Sequence, residues 1–157
     1  MQTKSIDTPL AELTLRRYEK PYNLNKRELV RKLCLSLGLL NPGDSRDVIV
    51  DVLYVLLEAR KDNKKLSSDE IRDDAIAFRK SNKLDDSGTA GSNIRRQIRR
   101  LREILIVEKI KNDYRITEFS DLSSIFNEKV EKFMIPSIIE RLKEYIKAVD
   151  DIFQKKV

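Results

Sequence analysis

The sequence predicts a mainly α fold carrying a small β-hairpin, with added N-terminal helices and a long C-terminal helix. Three observations lead there. Apolar residues recur at helical spacing along most of the chain, as in Leu29, Leu33, Leu37 and Leu40. Capping signals at Thr8-Pro9, Asn25 and Ser67-Ser68, with a stop at Asn41-Pro42-Gly43, divide that pattern into segments of helical length. The period changes to strand-like alternation once, in ILIVEKI and YRIT, which the polar triplet KND separates.

Taken in order, Thr8 is a capping hydroxyl and Pro9 suits a first helical turn, so LAELTLRRYEK is expected to be helical up to Pro21. Asn25 caps a second helix, KRELVRKLCLSLGLL, that ends at Asn41-Pro42-Gly43. Asp44 or Ser45 caps a third, RDVIVDVLYVLLEARK, whose polar or half-polar positions Asp47, Asp51, Tyr54 and Glu58 follow at steps of four, three and four. So narrow a stripe predicts the central helix of the core, with only the stripe in water. Asp51 and Glu58 share that face two turns apart and read as solvated, not catalytic.

Ser67 or Ser68, with Asp69 and Glu70 at the positive end of the helix, opens SSDEIRDDAIAFRKS, with Ile71, Ala75 and Phe78 pointing inward. Residues 82–91 form a loop in which DDSGTAGS lacks a lysine and any ligand spacing, and reads as a flexible connector. A helix at about 92–104 follows, with Ile94, Ile98, Leu101 and Leu105 along one side. After two short antiparallel strands the chain is helical again from Ser120, kinked near Pro136. This order implies an N-terminal helical arm (1–43), a central domain (44–118) and a C-terminal helical region (119–157).

Composition narrows the function classes. The chain has no histidine, no cysteine pair, no Gly-rich loop ending in Gly-Lys-Ser/Thr and no serine beside a base, so no catalytic residue, metal or cofactor is expected. Cys34 sits in an apolar helical pattern and fits a core position in a reducing compartment. No apolar run approaches the roughly 18 residues that cross a bilayer, and no apolar stretch follows the first lysine, so a cytoplasmic protein without membrane contact is expected. Charged residues reach 37%, with few Cys and Met, a balance seen in proteins from hot environments.

The net charge of +6 is unevenly spread, with balances of +4 over 1–40, −2 over 41–91, +5 over 92–117 and −1 over 118–157. The densest block opens with SNIRRQIRRLRE, which holds Arg95, Arg96, Arg99, Arg100 and Arg102 before the first acid, Glu103. A localised positive field points to a polyanionic partner. The basic N-terminal residues Arg16, Arg17, Lys20, Lys26, Arg27, Arg31 and Lys32 either extend that footprint or cover ordinary helix faces.

The stretches LYVLLEARKDNKKLSSDEI and GSNIRRQIRRLREILIVEKIKNDYRIT carry a resemblance to the winged helix-turn-helix superfamily of DNA-binding transcription regulators, over about residues 46–118. The resemblance implies that the third helix (about 92–104) is a recognition helix docked in the major groove of double-stranded DNA. The hairpin (about 105–118) would be a wing lying on the backbone. Two features depart from the family pattern: residues 81–91 exceed the usual tight turn, and Leu105-Ile106 replaces a common glycine.

With Ile94 at zero and about 100° per residue, Ser92, Arg96, Arg99, Arg100 and Glu103 face away from the core, Arg95 and Arg102 lie on one edge, and Asn93 and Gln97 on the other. Arginines suit phosphates, while Asn93, Gln97 or one arginine would reach base edges. The helix start at Ser92-Asn93 adds backbone donors for phosphate. Lys109, Lys111, Asn112 and Arg115 would serve the wing. Neighbouring arginines with no acid between them cost helix stability unless something offsets them.

In the C-terminal helix Ile135, Ile138, Leu142, Tyr145, Val149 and Ile152 form a heptad seam, widened by Ile139, Ile146 and Phe153. This face is expected to form a homodimer, as terminal helices often do in the regulators the chain resembles. The alternatives are a winged-helix scaffold or subunit of a protein complex, or a DNA-architectural or replication protein that binds without sequence preference.

Overall fold

The computed structural model describes residues 7–156. Helix α1 (Lys26–Ser36) starts on a capping box, Asn25 Oδ1 accepting from Glu28 N at 2.8 Å and Glu28 Oε1 from Asn25 N at 3.3 Å. It stops short of the Asn41-Pro42-Gly43 signal. Gly38 takes φ +70, and the N–H groups of Gly38 and Leu39 bond back to Leu35 O and Cys34 O at 3.2 and 2.9 Å. This left-handed closure ends the helix and turns Leu39 and Leu40 into the core.

The expected helix over 10–20 does not form. These residues run as an irregular strap across the C-terminal end of α1, and the strap has a local reason. The last carbonyls of a helix lack intrahelical partners. Arg16 supplies two of them, its N–H donating to Ser36 O and its Nη1 to Leu35 O, both at 2.8 Å, and Nη1 also reaches Leu40 O in the turn beyond at 3.0 Å. Leu13 and Tyr18 pack on the core beside it.

Helix α2 (Val48–Arg60) is central, as its sequence implies, and packs against α1, against α3 (Ser68–Ser81), against α4 (Gly91–Glu103) and against strand β3 (Asp113–Ile116). Its polar stripe is in water only at the far end, where Glu58 pairs with Lys61 on the surface; the near end is not. Asp51 is fully buried and Asp47 nearly so, because Arg27 of α1 and Arg79 of α3 converge on them. Arg27 Nε and Nη2 meet both Asp51 oxygens at 2.9 and 3.0 Å. Arg79 Nη1 bridges Asp51 Oδ2 at 2.7 Å and Asp47 Oδ1 at 3.0 Å. Further along the stripe Tyr54 stacks on Phe78, with ring centroids 4.0 Å apart.

Strand β1 (Leu66–Ser67) leads into α3, which has its own capping box from Ser67 and Glu70. Strands β2 (Val107–Ile110) and β3 form a hairpin through the two-residue turn Lys111-Asn112, and β1 pairs antiparallel with β3, giving the order β1-β3-β2. The chain is thus mainly helical with a small three-stranded antiparallel sheet, one strand more than the hairpin expected. At the exit of α4, Leu105 occupies φ +67, and Ile106 N bonds to Leu101 O at 3.1 Å, the closure a glycine would otherwise make.

Beyond the sheet, Asp121 caps α5 (Leu122–Ile125), which continues as a π-helical stretch, Phe126–Met134, and then as α6 (Ile135–Ile152). The interruption expected near Pro136 is this π-helical stretch. Pro136 offers no N–H, and Ile135 N bonds five residues back to Val130 O. Ile125, Val130 and Met134 are buried; α6 itself buries no residue.

Candidate nucleic-acid interface

Helix α4 is anchored by Ile94, Ile98 and Leu101, all buried, with Ile104 rather than Leu105 completing the buried row beyond the helix end. Arg95, Arg96, Arg99 and Arg102 are exposed, as is Ser92, and Arg100 is half-buried. Among the described residues, no carboxylate lies within ion-pair distance of any α4 arginine, Glu103 on the same face included. Every other well-buried arginine or aspartate nearby is already matched. The positive charge of α4 is therefore left over after the fold has neutralised its interior.

The carboxamide edge of the helix departs from expectation. Gln97 is buried, and Asn93 is half-buried. Asn93 Nδ2 donates to Gly88 O at 2.7 Å, and its Oδ1 accepts from Gln97 Nε2 and Arg96 Nη2, both at 3.0 Å. Gln97 Oε1 accepts from Arg100 Nη1 at 2.9 Å, and Arg100 Nη2 reaches Gly38 O at 3.4 Å. A row of side-chain hydrogen bonds thus ties the loop before α4 to the turn after α1. Gln97 is withdrawn from the candidate contacts. The outward face is turned toward the other edge, which brings in Arg102, an edge position in the sequence reading. Arg102 stands seven residues, two helical turns, after Arg95, and that spacing was the signal that could have found it. Arg46, exposed in the cap region of α2, joins Arg96 and Asn93, with Asp44, around one small concavity and carried no sequence signal.

The loop at 82–90 is pinned rather than free. Arg72 Nε donates to Thr89 O and Arg79 Nε to Asp85 O, each at 2.6 Å, and Thr89 is buried. Its length is absorbed by α3, whose arginines hold it and so set where α4 begins.

On the hairpin, Lys109, Lys111 and Asn112 are exposed, with Lys109 over the Tyr114 ring. Arg115 is not free: its Nε donates to Glu108 Oε2 at 2.7 Å and it lies over the Phe119 ring. Burial pushes the Glu108 carboxyl up, but the Glu118 N–H and Arg115 pull it further down, so it is held below the ordinary glutamate range. The N-terminal basic block is also mostly spent within the chain. Arg16 caps α1, Arg27 and Arg31 meet Asp47, and Lys32 pairs with Glu19 over the Tyr18 ring.

Along α6, Ile139, Leu142, Tyr145, Ile146, Val149 and Ile152, with Phe153 just beyond, are 44–76% exposed, while Ile135 and Ile138 at its root are half-buried. Among the described residues no three metal-ligating side chains are grouped to hold an ion, and no helix is long and apolar enough to cross a membrane. No protein-family model matches the chain, and neither a curated protein nor a solved structure matches it.

Proposed function

We propose that the chain is a DNA-binding protein of winged helix-turn-helix type, a transcription regulator whose α4 lies in the major groove and whose β2–β3 hairpin touches the backbone. One observation carries this reading: the exposed guanidinium groups of α4 have no acidic partner among the described residues, on a helix whose opposite side is locked into the core. The order α2, β1, α3, α4, β2, β3 and the sheet order β1-β3-β2 support it, since they present α4 on the outside with a hairpin beside it. Arg95, Arg96, Arg99 and Arg102 are the principal contacts, with Ser92 at the helix start and Lys109, Lys111 and Asn112 on the hairpin.

The reading includes a homodimer through α6, which would set two copies of α4 on half-sites about one turn of duplex apart. The seven exposed side chains on each copy, roughly half-exposed, contribute about 1 kcal/mol apiece on burial. That gross gain of about 14 kcal/mol exceeds all but the upper range of association costs, about 4–15 kcal/mol.

Fluorescence anisotropy with a labelled duplex across a salt series tests the function. Replacing Arg95, Arg99 and Arg102 together by alanine should weaken binding and make the slope of log affinity against log salt shallower by about 2.7 per subunit, about 0.9 for each phosphate contact. Unchanged affinity and slope would remove α4 as the contact.

A further inference from the structure

The free groups of α4 and its committed groups are chemically different, and the difference bears on what the helix can read. Resting on the DNA reading above, we infer that this face grips duplex through phosphates, and that guanine is the only base it selects. Adenine is read from the major groove by one carboxamide that accepts from N6 and donates to N7 at once. Both α4 carboxamides are held elsewhere. The Asn93 oxygen already accepts two hydrogen bonds, and its nitrogen donates to Gly88 O. Freeing Asn93 breaks three bonds in order to make two. Gln97 is buried between Asn93 and Arg100 and cannot reach a groove without leaving the core.

What remains outward is a row of guanidinium groups. On the helical wheel Arg102, Arg95 and Arg99 fall within about 60° of one another, and their Cα atoms span seven residues, about 10 Å along the axis. A straight cationic row of this kind can follow a phosphate backbone. Where it enters the groove, an arginine matches guanine O6 and N7 in a paired contact. The hairpin adds Lys109 and Lys111, which carry charge but no carboxamide; Asn112 sits in the turn itself. The carboxamides therefore act as positioning residues: they fix the angle at which the arginine row meets the duplex.

The test uses the full chain, a random duplex pool and three labelled duplexes of equal length: alternating A·T, alternating G·C and mixed sequence. Alternating A·T avoids the narrow groove of A-tracts, which attracts arginine by shape alone. Expected are three affinities within about tenfold, one paired contact at most, with A·T never the tightest. The pool should show uniform coverage or enriched guanine positions. Asn93→Ala and Gln97→Ala should leave the ranking of the duplexes unchanged, while Arg95→Ala or Arg99→Ala lowers affinity for all three. A selected site that requires adenine, with the requirement lost in Asn93→Ala or Gln97→Ala, overturns this inference and leaves the DNA reading standing. Failure of the wild-type chain to bind any duplex overturns both.

Discussion

Replacing Arg79 by methionine keeps its aliphatic stem and removes the guanidinium that holds two helices and a loop together. That group donates to Asp51 Oδ2 at 2.7 Å, to Asp47 Oδ1 at 3.0 Å and, through Nε, to Asp85 O at 2.6 Å. After the change Asp51, wholly buried, keeps only Arg27, and a loop carbonyl loses its donor. Breaking a buried ion pair from one side costs about 3–5 kcal/mol, because the remaining charge stays out of water. For a chain of this size each kcal/mol moves the melting temperature by about 2–4 °C, so a drop of roughly 6–20 °C is expected.

Circular dichroism melts and urea titrations at pH 7 measure it, with Asp85→Asn as a control at the exposed end of the cluster that leaves the melt nearly unshifted. The pH dependence supplies a second check. Burial pushes the Asp47 carboxyl up, yet the Arg79 hydrogen bond and the Arg27 and Arg79 charges pull it further, so it sits below its ordinary value. A depressed folded value contributes stability above the unfolded value, about pH 4, and loses it as pH falls through the folded one. The methionine variant should therefore lose less stability than the parent on acidification below about pH 4. A destabilisation under about 1 kcal/mol at pH 7, with unchanged acid sensitivity, would refute the reasoning.

Three further outcomes follow from single contacts. Burial pushes the Cys34 thiol up to about 12, so a thiol reagent at pH 8 should label it only at the rate of unfolding; rapid stoichiometric labelling of the folded chain would contradict its position. Gly38→Ala should cost about 2 kcal/mol or more, since a Cβ there meets a left-handed φ and lies 2.4 Å from Thr14 Cβ. Adding Thr14→Gly should recover the steric part, and an absence of coupling in urea melts would show that the strap does not press on that turn. Leu142→Glu with Val149→Glu should convert a sedimenting dimer to a monomer while leaving the melt of the body unchanged, because neither side chain is buried; a wild-type monomer at micromolar concentration would end the dimer proposal.

The helices that carry strong apolar periods were legible: α2, α3 and α4 begin and end within a few residues of their sequence signals, although of these only α3 has a side-chain cap and the cap expected at Asp44 or Ser45 for α2 does not form, its N-cap position being Asp47. The failures have a common form. Periodicity reports that Asp47 and Asp51 share a face, but not that Arg27 and Arg79, 24 and 28 residues from Asp51, meet them there. The segment at 10–20 has helical spacing and a good start signal, and the unmatched carbonyls of α1 claim it instead. Strand β1 is two residues long, too short to show an alternation at all.

The candidate interface was legible to within one edge of a helix, and the edge is where the tertiary structure decides. Asn93 and Gln97 lie about 40° apart on the wheel, on the flank between core and solvent, where a shift of the buried centre by a few tens of degrees changes a surface residue into an interior one. That shift is set by what lies beside α4. Gly38 and its neighbours approach the Gln97 and Arg100 flank because α1 stops early, and α1 stops early because Gly38 turns left-handed and the strap closes over its end. The arginine row survives this rotation because it is more than one residue wide; the carboxamide pair does not. A charge block several residues deep therefore stays on the surface through such a rotation, whereas the exposure of any one flank residue depends on a turn more than fifty residues away.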